Sequence, residues 1–269
     1  MTTQATAAPQ LLLHHHLKAL KLPVFGREYA KMASQCAADK ADYPTYLLRL
    51  AEQELIERER KGIERRIKAA RFPLVKSLDE FDFTAVPALN KKQILELARC
   101  EWIDNKENLI VLGNPGVGKT HLASALGLSA CQRGYGVRTF SAASLVNTLV
   151  EARNEKELLR FQARLNKVPL LIVDELGYIP LSKTGAELLF EIFSQRYERS
   201  SVIVTSNLPF EEWTSIFGSE RLTGALLDRL THRAHIMAVE GNSYRLAQSQ
   251  NRRRRSKKTE TSPQEEGKK

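Results

Sequence analysis

Leu109–Thr120 reads LIVLGNPGVGKT, an apolar run that ends in a glycine-rich turn. Gly113, Gly118, Lys119 and Thr120 fit the pattern G-x-x-x-x-G-K-[ST] without a mismatch. The residue types follow from what such a turn must do. Gly113, Gly116 and Gly118 let the backbone bend tightly and aim successive N–H groups at one anion, with Asn114, Pro115 and Val117 filling the loop between them. Lys119 can reach the β- and γ-phosphates of a nucleotide, and the Thr120 hydroxyl can ligate Mg²⁺. From His121 onward the chain reads as a helix, with Leu122, Ala125, Leu126 and Ala130 at helical spacing, and its N-terminal dipole adds to the positive field. Ile110–Leu112 reads as a buried strand. Strand, loop and helix in this order predict a site for a nucleoside triphosphate.

Leu170–Glu175 (LLIVDE) is a second apolar run, and it ends in adjacent acids. Asp174 at a strand tip can hold the water shell of Mg²⁺, and Glu175 can polarise a water aimed at the γ-phosphate. That pair favours hydrolysis over transfer to a second substrate. Ser201–Pro209 (SVIVTSNLP) is a third run, ending in Asn207, whose amide at a strand end can orient the attacking water or contact the γ-phosphate. Ala225–Arg233 (ALLDRLTHR) and the turn GNSYR then supply Arg229 and Arg245, with Arg233 nearby. A planar guanidinium suits a developing phosphoryl charge because it binds oxygens bidentately and stays ionised.

The apolar runs Val137–Phe140, Pro169–Val173, Ser201–Thr205 and Ala234–Ala238 alternate with helix-length segments. This pattern predicts an α/β fold, a parallel sheet with helices on both faces. Residues 1–71 read as a small all-helical N-terminal domain. Within it, Leu47, Leu50, Leu55, Ile56, Ile63 and Ile67 form one expected apolar stripe. The opposite face carries Arg58, Arg60, Lys61, Arg65, Arg66, Lys68 and Arg71. That face either tracks a phosphate backbone, with Arg58, Arg65 and Arg66 as candidates, or is solvated and paired with Glu57, Glu59 and Glu64. Residues 72–89, with two prolines, an acidic cluster and aromatic anchors, read as a linker, residues 90–248 as the nucleotide-binding domain, and residues 249–269 as a basic tail without apolar periodicity.

The chain of 269 residues has a formal net charge of +10, unevenly spread. Residues 1–100 carry 17 Lys/Arg against 12 Asp/Glu, residues 101–251 carry 16 of each, and residues 252–269 carry 8 against 3. Basic flanks around a neutral core are what a machine acting on a polyanion needs, so double-stranded DNA is an expected partner. No run approaches the length of a membrane span, and the N-terminus lacks the build of a signal peptide. His14, His15 and His16 point in different directions on a helix and read as a solvated or partner-facing patch rather than a metal site. Cys36, Cys100 and Cys131, few and without CxxC spacing, fit free buried thiols in a cytoplasmic protein.

The order GNPGVGKTH, LLIVDELGY, VIVTSNLP, LLDRL and NSYR resembles that of the AAA+ ATPases of the initiator and helicase-loader branch, and most closely the IstB-type helper ATPases of insertion-sequence transposition. The resemblance covers roughly residues 11–250. It implies an AAA+ αβα core, ATP and Mg²⁺ as cofactors, ATP-dependent self-assembly on DNA, and delivery of target DNA to a partner transposase. It makes Gly113–Thr120 the Walker A loop, Asp174 and Glu175 Walker B, and Asn207 sensor 1. Arg229 becomes the finger acting on a neighbour's ATP, and Arg245 a sensor-2-like arginine. It also makes Ser144–Lys167 the helical insertion that faces nucleic acid in that branch, with Arg153, Lys156, Arg160, Arg164 and Lys167 as its phosphate-binding stripe. Only 24 residues follow Arg245, so the usual C-terminal helical lid is not expected. A replicative helicase loader of the DnaC type is the alternative with the same motif order.

Overall fold

A computed structural model describes residues 7–241, and packing divides the chain after Arg65 into two compact units. The first holds α1 (Ala7–Ala19), α2 (Pro23–Ala38) and most of α3 (Tyr43–Ala70). Pro23 opens α2 at a position where its missing N–H costs nothing. The unit's core is small: Met32, Cys36 and Leu50, with Phe25, Tyr29 and Tyr46 packed around them. The buried Glu54 carboxylate accepts from the Val24 N–H at 2.8 Å and from Arg58 Nε at 2.9 Å. The expected single stripe on α3 is only partly used. Leu50 is buried, but Leu47, Leu55 and Ile56 are each more than half exposed. So few helices offer too little surface to cover one side of a 28-residue helix.

The second unit begins inside α3. Two short 3-10 turns, Leu78–Glu80 and Phe83–Ala85, lead to α4 (Lys91–Leu97) and α5 (Glu101–Asp104). There follow β1 (Asn108–Gly113), α6 (Lys119–Gln132), β2 (Val137–Ser141), α7 (Ala142–Asn154), α8 (Leu158–Asn166), β3 (Leu170–Leu176), α9 (Lys183–Arg196), β4 (Ser201–Ser206), α10 (Trp213–Phe217), α11 (Glu220–Thr231) and β5 (Ala234–Val239). The five strands are parallel in the order β2-β3-β4-β1-β5. All the strands expected from the apolar runs are present.

Alternation along each strand splits the core between the two faces of the sheet. Leu109, Val111, Leu170, Ile172 and Ile203 pack on one side with α6 residues and with Ala70, Phe81, Val86 and Leu89. Ile110, Leu171, Val173, Val202 and Val204 pack on the other with residues of α7, α9, α10 and α11. Residues 70–89 therefore do more than connect, because their apolar side chains complete one face of the core. The segment 144–167 forms two helices broken at Lys156, whose backbone is left-handed (φ 61°).

Candidate nucleotide site

Strand order gathers the motifs. β3, β4 and β1 are neighbours, with Leu112 beside Ser206 and Val173 beside Val204, so Gly113, Asp174 and Asn207 share the C-terminal edge of the sheet. Ligands of open parallel sheets bind at this edge.

The loop is shaped by its glycines. Gly113, Gly116 and Gly118 have φ of 151°, 84° and 103°, backbone that side chains resist. At Gly113 a Cβ would stand 2.2 Å from the Val239 carbonyl oxygen of β5, so that glycine also permits strand packing. Gly118 caps α6, and Lys119 and Thr120 begin it. The Lys119 side chain is buried, and its Nζ donates to the carbonyls of Gly113 at 2.7 Å and Asn114 at 2.8 Å. The ammonium thus lies at the concave loop where phosphates are expected.

The two acids occupy different environments. Asp174 is 6% exposed; its Oδ1 accepts from Thr120 Oγ1 at 3.1 Å and from Thr205 Oγ1 at 2.5 Å. The same Thr205 hydroxyl accepts the Glu175 N–H at 2.9 Å. Glu175 has φ 58° and sits where the β3–β4 register shifts between Val173 and Leu176. This bulge turns the Glu175 side chain to solvent while Asp174 stays inside. One buried threonine therefore sets both neighbours. The sequence does not single it out, since Thr205 lies within the apolar run Ser201–Thr205; the one signal is a polar residue at the end of that run.

Thr120 and Asp174 present hard oxygen donors that touch one another, the donor set that suits Mg²⁺ completed by water and phosphate oxygens. Among the described residues no group of three or more His, Cys, Asp or Glu side chains could hold a metal. Asn207 directly follows β4 and is half-buried. Its neighbour Ser206 donates to the Leu176 carbonyl at 2.8 Å and accepts the Leu208 N–H at 3.1 Å, which fixes the turn. His121 faces residues 77–81 rather than the loop: a ring nitrogen lies 3.0 Å from the Ser77 carbonyl, and Phe81 packs edge-on at 5.2 Å. Phe81 also lies against Gly118.

Arg229 is not brought to its own loop. Its guanidinium lies over Phe190 at 5.2 Å and donates to the Ala225 carbonyl at 2.7 Å. The next residue, Leu230, accepts from the side chain of Asn108, at the far end of β1 from Gly113. Five residue steps of strand put the two ends about 17 Å apart. The Arg233 carbonyl accepts the Asn108 N–H at that same end. Arg245 lies outside the described residues.

The expected nucleic-acid residues divide. Arg153, Lys156, Arg160, Arg164 and Lys167 are all exposed on α7, α8 and their flanks, although Arg160 reaches Glu157 at 3.5 Å. Arg65 is exposed. Arg58 is engaged with Glu54 and the Lys21 carbonyl, and Arg66 donates to the Cys131 carbonyl at 2.8 Å. Arg58 through Nε and Nη2, and Arg66 through Nε, are thus partly engaged in internal bonds, a use that spacing on a helix face does not reveal.

Residues 15–252 match the family described as IstB-like ATP binding protein. An insertion sequence IS5376 putative ATP-binding protein of Geobacillus stearothermophilus is 40% identical over 234 residues, 87% of this chain and 93% of that protein. The insertion sequence IS21 putative ATP-binding protein of Pseudomonas aeruginosa is 40% identical over 86% of this chain and 87% of its own length. Among solved structures, AMPPCP-bound DnaA from Aquifex aeolicus aligns with TM-score 0.52 at 22% identity, over 69% of this chain and 56% of that one. The DnaC helicase loader aligns with TM-score 0.50 at 22% identity, over 65% and 99%. These two likenesses establish an AAA+ fold, and the sequence relationship makes this chain a member of the IstB-like ATP-binding protein family.

Proposed function

We propose that this protein is an ATP-hydrolysing helper of insertion-sequence transposition, one that assembles on double-stranded target DNA and presents it to a partner transposase. The carrying observation is the meeting of Lys119, Thr120, Asp174 and Glu175 at one sheet edge in a chain 40% identical to insertion-sequence ATP-binding proteins. In this reading the loop N–H groups and Lys119 bind the phosphates of ATP. Magnesium held by Thr120 and Asp174 would neutralise charge on the β- and γ-oxygens. Glu175, aimed outward by its left-handed backbone, takes the proton of the attacking water, and Asn207 orients that water. Arg229, stacked at the opposite end of β1, serves the ATP of a neighbouring subunit, so ATP between subunits favours the assembly and hydrolysis loosens it. Among the described residues no helix is long and apolar enough to cross a membrane, and the three free cysteines are buried, which suits work in the cytoplasm.

The DnaC-type loader shares the fold, but the sequence kinship lies with the insertion-sequence proteins, and function follows the site and partner rather than the fold. The test is particle mass by light scattering with duplex DNA in ATP, in ADP and without nucleotide. A large complex only with ATP and DNA together is expected. An unchanged mass in all three states would overturn the assembly switch.

A further inference from the structure

Three arginines gather at the free edge of the sheet, outside the nucleotide site. Among the described residues β2 is an edge strand, with only β3 beside it. Arg138, in the middle of β2, lies over the Phe140 ring at 5.3 Å and donates to the Ala69 carbonyl at 2.8 Å. Arg164 on α8 lies over the Phe161 ring at 5.9 Å. Phe140 and Phe161 meet edge-to-face at 6.3 Å, so the two guanidiniums flank one aromatic pair. Arg71 stands two residues beyond Ala69, where a left-handed backbone (φ 54°) ends α3. Burial, and then the positive charges of Arg71 and Arg164, push Arg138 below the ordinary arginine value.

Like charges placed together raise the energy of the fold unless an anion offsets them. On α3 the offset is internal, since Arg60 reaches Glu57 and Glu64, and Lys61 reaches Glu57. At the β2 edge it is not: among the described residues, no ion pair involves Arg71, Arg138 or Arg164. Planar forks held against ring faces match phosphate oxygens bidentately. The position also matters. In the β2–β3 register, Phe140 pairs with Val173 and Ser141 with Asp174. Arg138 is thus three residues, about 10 Å, along the strand from the partner of the buried acid. Ser141 also caps α7, which leads to α8 and Arg164.

We propose that Arg71, Arg138 and Arg164 form a seat for the phosphate backbone of duplex DNA on the β2 edge, one strand away from Asp174. The seat rests on the DNA-binding reading above and gives it a location that the α7–α8 stripe alone does not. It also provides a short mechanical route from DNA to the nucleotide site.

The test is anisotropy of a labelled duplex bound by the full chain with a non-hydrolysable ATP analogue, titrated with salt. Each phosphate contact contributes about 0.9 to the slope of log affinity against log salt. R71Q/R164Q should lower that slope by about 1.8, and R71K/R164K should restore it by returning the charge. The comparison is R153Q/K156Q/R160Q on the outer stripe. All of these side chains except Arg138 are exposed, so the variants spare the core. If R71Q/R164Q keeps the parent slope while the stripe variant loses affinity, the seat is wrong and the DNA reading stands. If the parent has no affinity for duplex, both fall.

Discussion

Replacing Thr205 with valine removes one hydroxyl and almost no volume, so its effect isolates two hydrogen bonds. Thr205 is fully buried. Its bond to Asp174 is charge-assisted and contributes about 1.5–3 kcal/mol, and the bond from the Glu175 N–H about 0.5–1.5 kcal/mol. The two share one oxygen and are not additive, so T205V should cost about 2–4 kcal/mol of stability. In a unit of this size, each kcal/mol shifts Tm by about 2–4 °C, which predicts a fall of about 5–15 °C. The effect on chemistry should be larger than that on binding. The hydroxyl touches the peptide that aims Glu175, and displacement of a reacting group by an ångström costs about 10²-fold. The assay pairs thermal unfolding with steady-state ATP hydrolysis and the affinity of a fluorescent ATP analogue. T205V should keep nucleotide affinity near the parent's, lose at least about tenfold in hydrolysis, and be restored by T205S, which returns the hydroxyl. A T205V protein that melts with the parent and hydrolyses ATP at the parent rate would refute the argument that this hydroxyl sets the acid pair.

Lys119→Ala should abolish nucleotide binding and, when it is the only subunit present, assembly, whereas Glu175→Gln should bind ATP and accumulate in the assembled state; hydrolysis by E175Q at the parent rate would remove Glu175 from its role. Arg229→Ala should be inactive alone yet regain activity when mixed with K119A, because each then supplies what the other lacks across a subunit boundary; absence of any regain in mixtures that co-assemble argues against action in trans. The thiols of Cys100 and Cys131 are pushed up to about 11 from 9.0, chiefly by burial. The folded state holds those protons more tightly than the unfolded state. Their contribution to stability is therefore complete below about pH 9 and is lost as pH rises toward about 11. The urea midpoint should fall over that window, and C100A/C131A should flatten the fall; an equally steep decline in the double variant would assign it to other groups.

The parts of this protein legible in its sequence are those that depend on short windows. The loop Gly113–Thr120 demands glycines where φ is positive and a lysine one step later, and all of that is local. The five strands are likewise local, because a run of buried apolar residues between turns has few other uses. The positions of Asp174 and Glu175 followed from the strand that ends on them. What the bulge does to the pair was not legible, since it arises from the register between β3 and β4.

The segment 72–89 shows the same boundary. Its prolines and acids mark a connector, yet Phe81 and Val86 belong to the core, and Phe81 stands against Gly118 and His121. The exposure of Leu47, Leu55 and Ile56 cannot be read along the chain, because a helical stripe says which side chains can be covered, not whether anything covers them. The nucleotide loop, the acid pair and the alternation of strands with helices can be read along the chain, because these are properties of consecutive residues. Folding brings Thr205 to both acids, sets Arg229 at the far end of β1, and puts Arg71, Arg138 and Arg164 on one edge. Those neighbours are far apart along the chain, and strand order and register alone determine which of them meet.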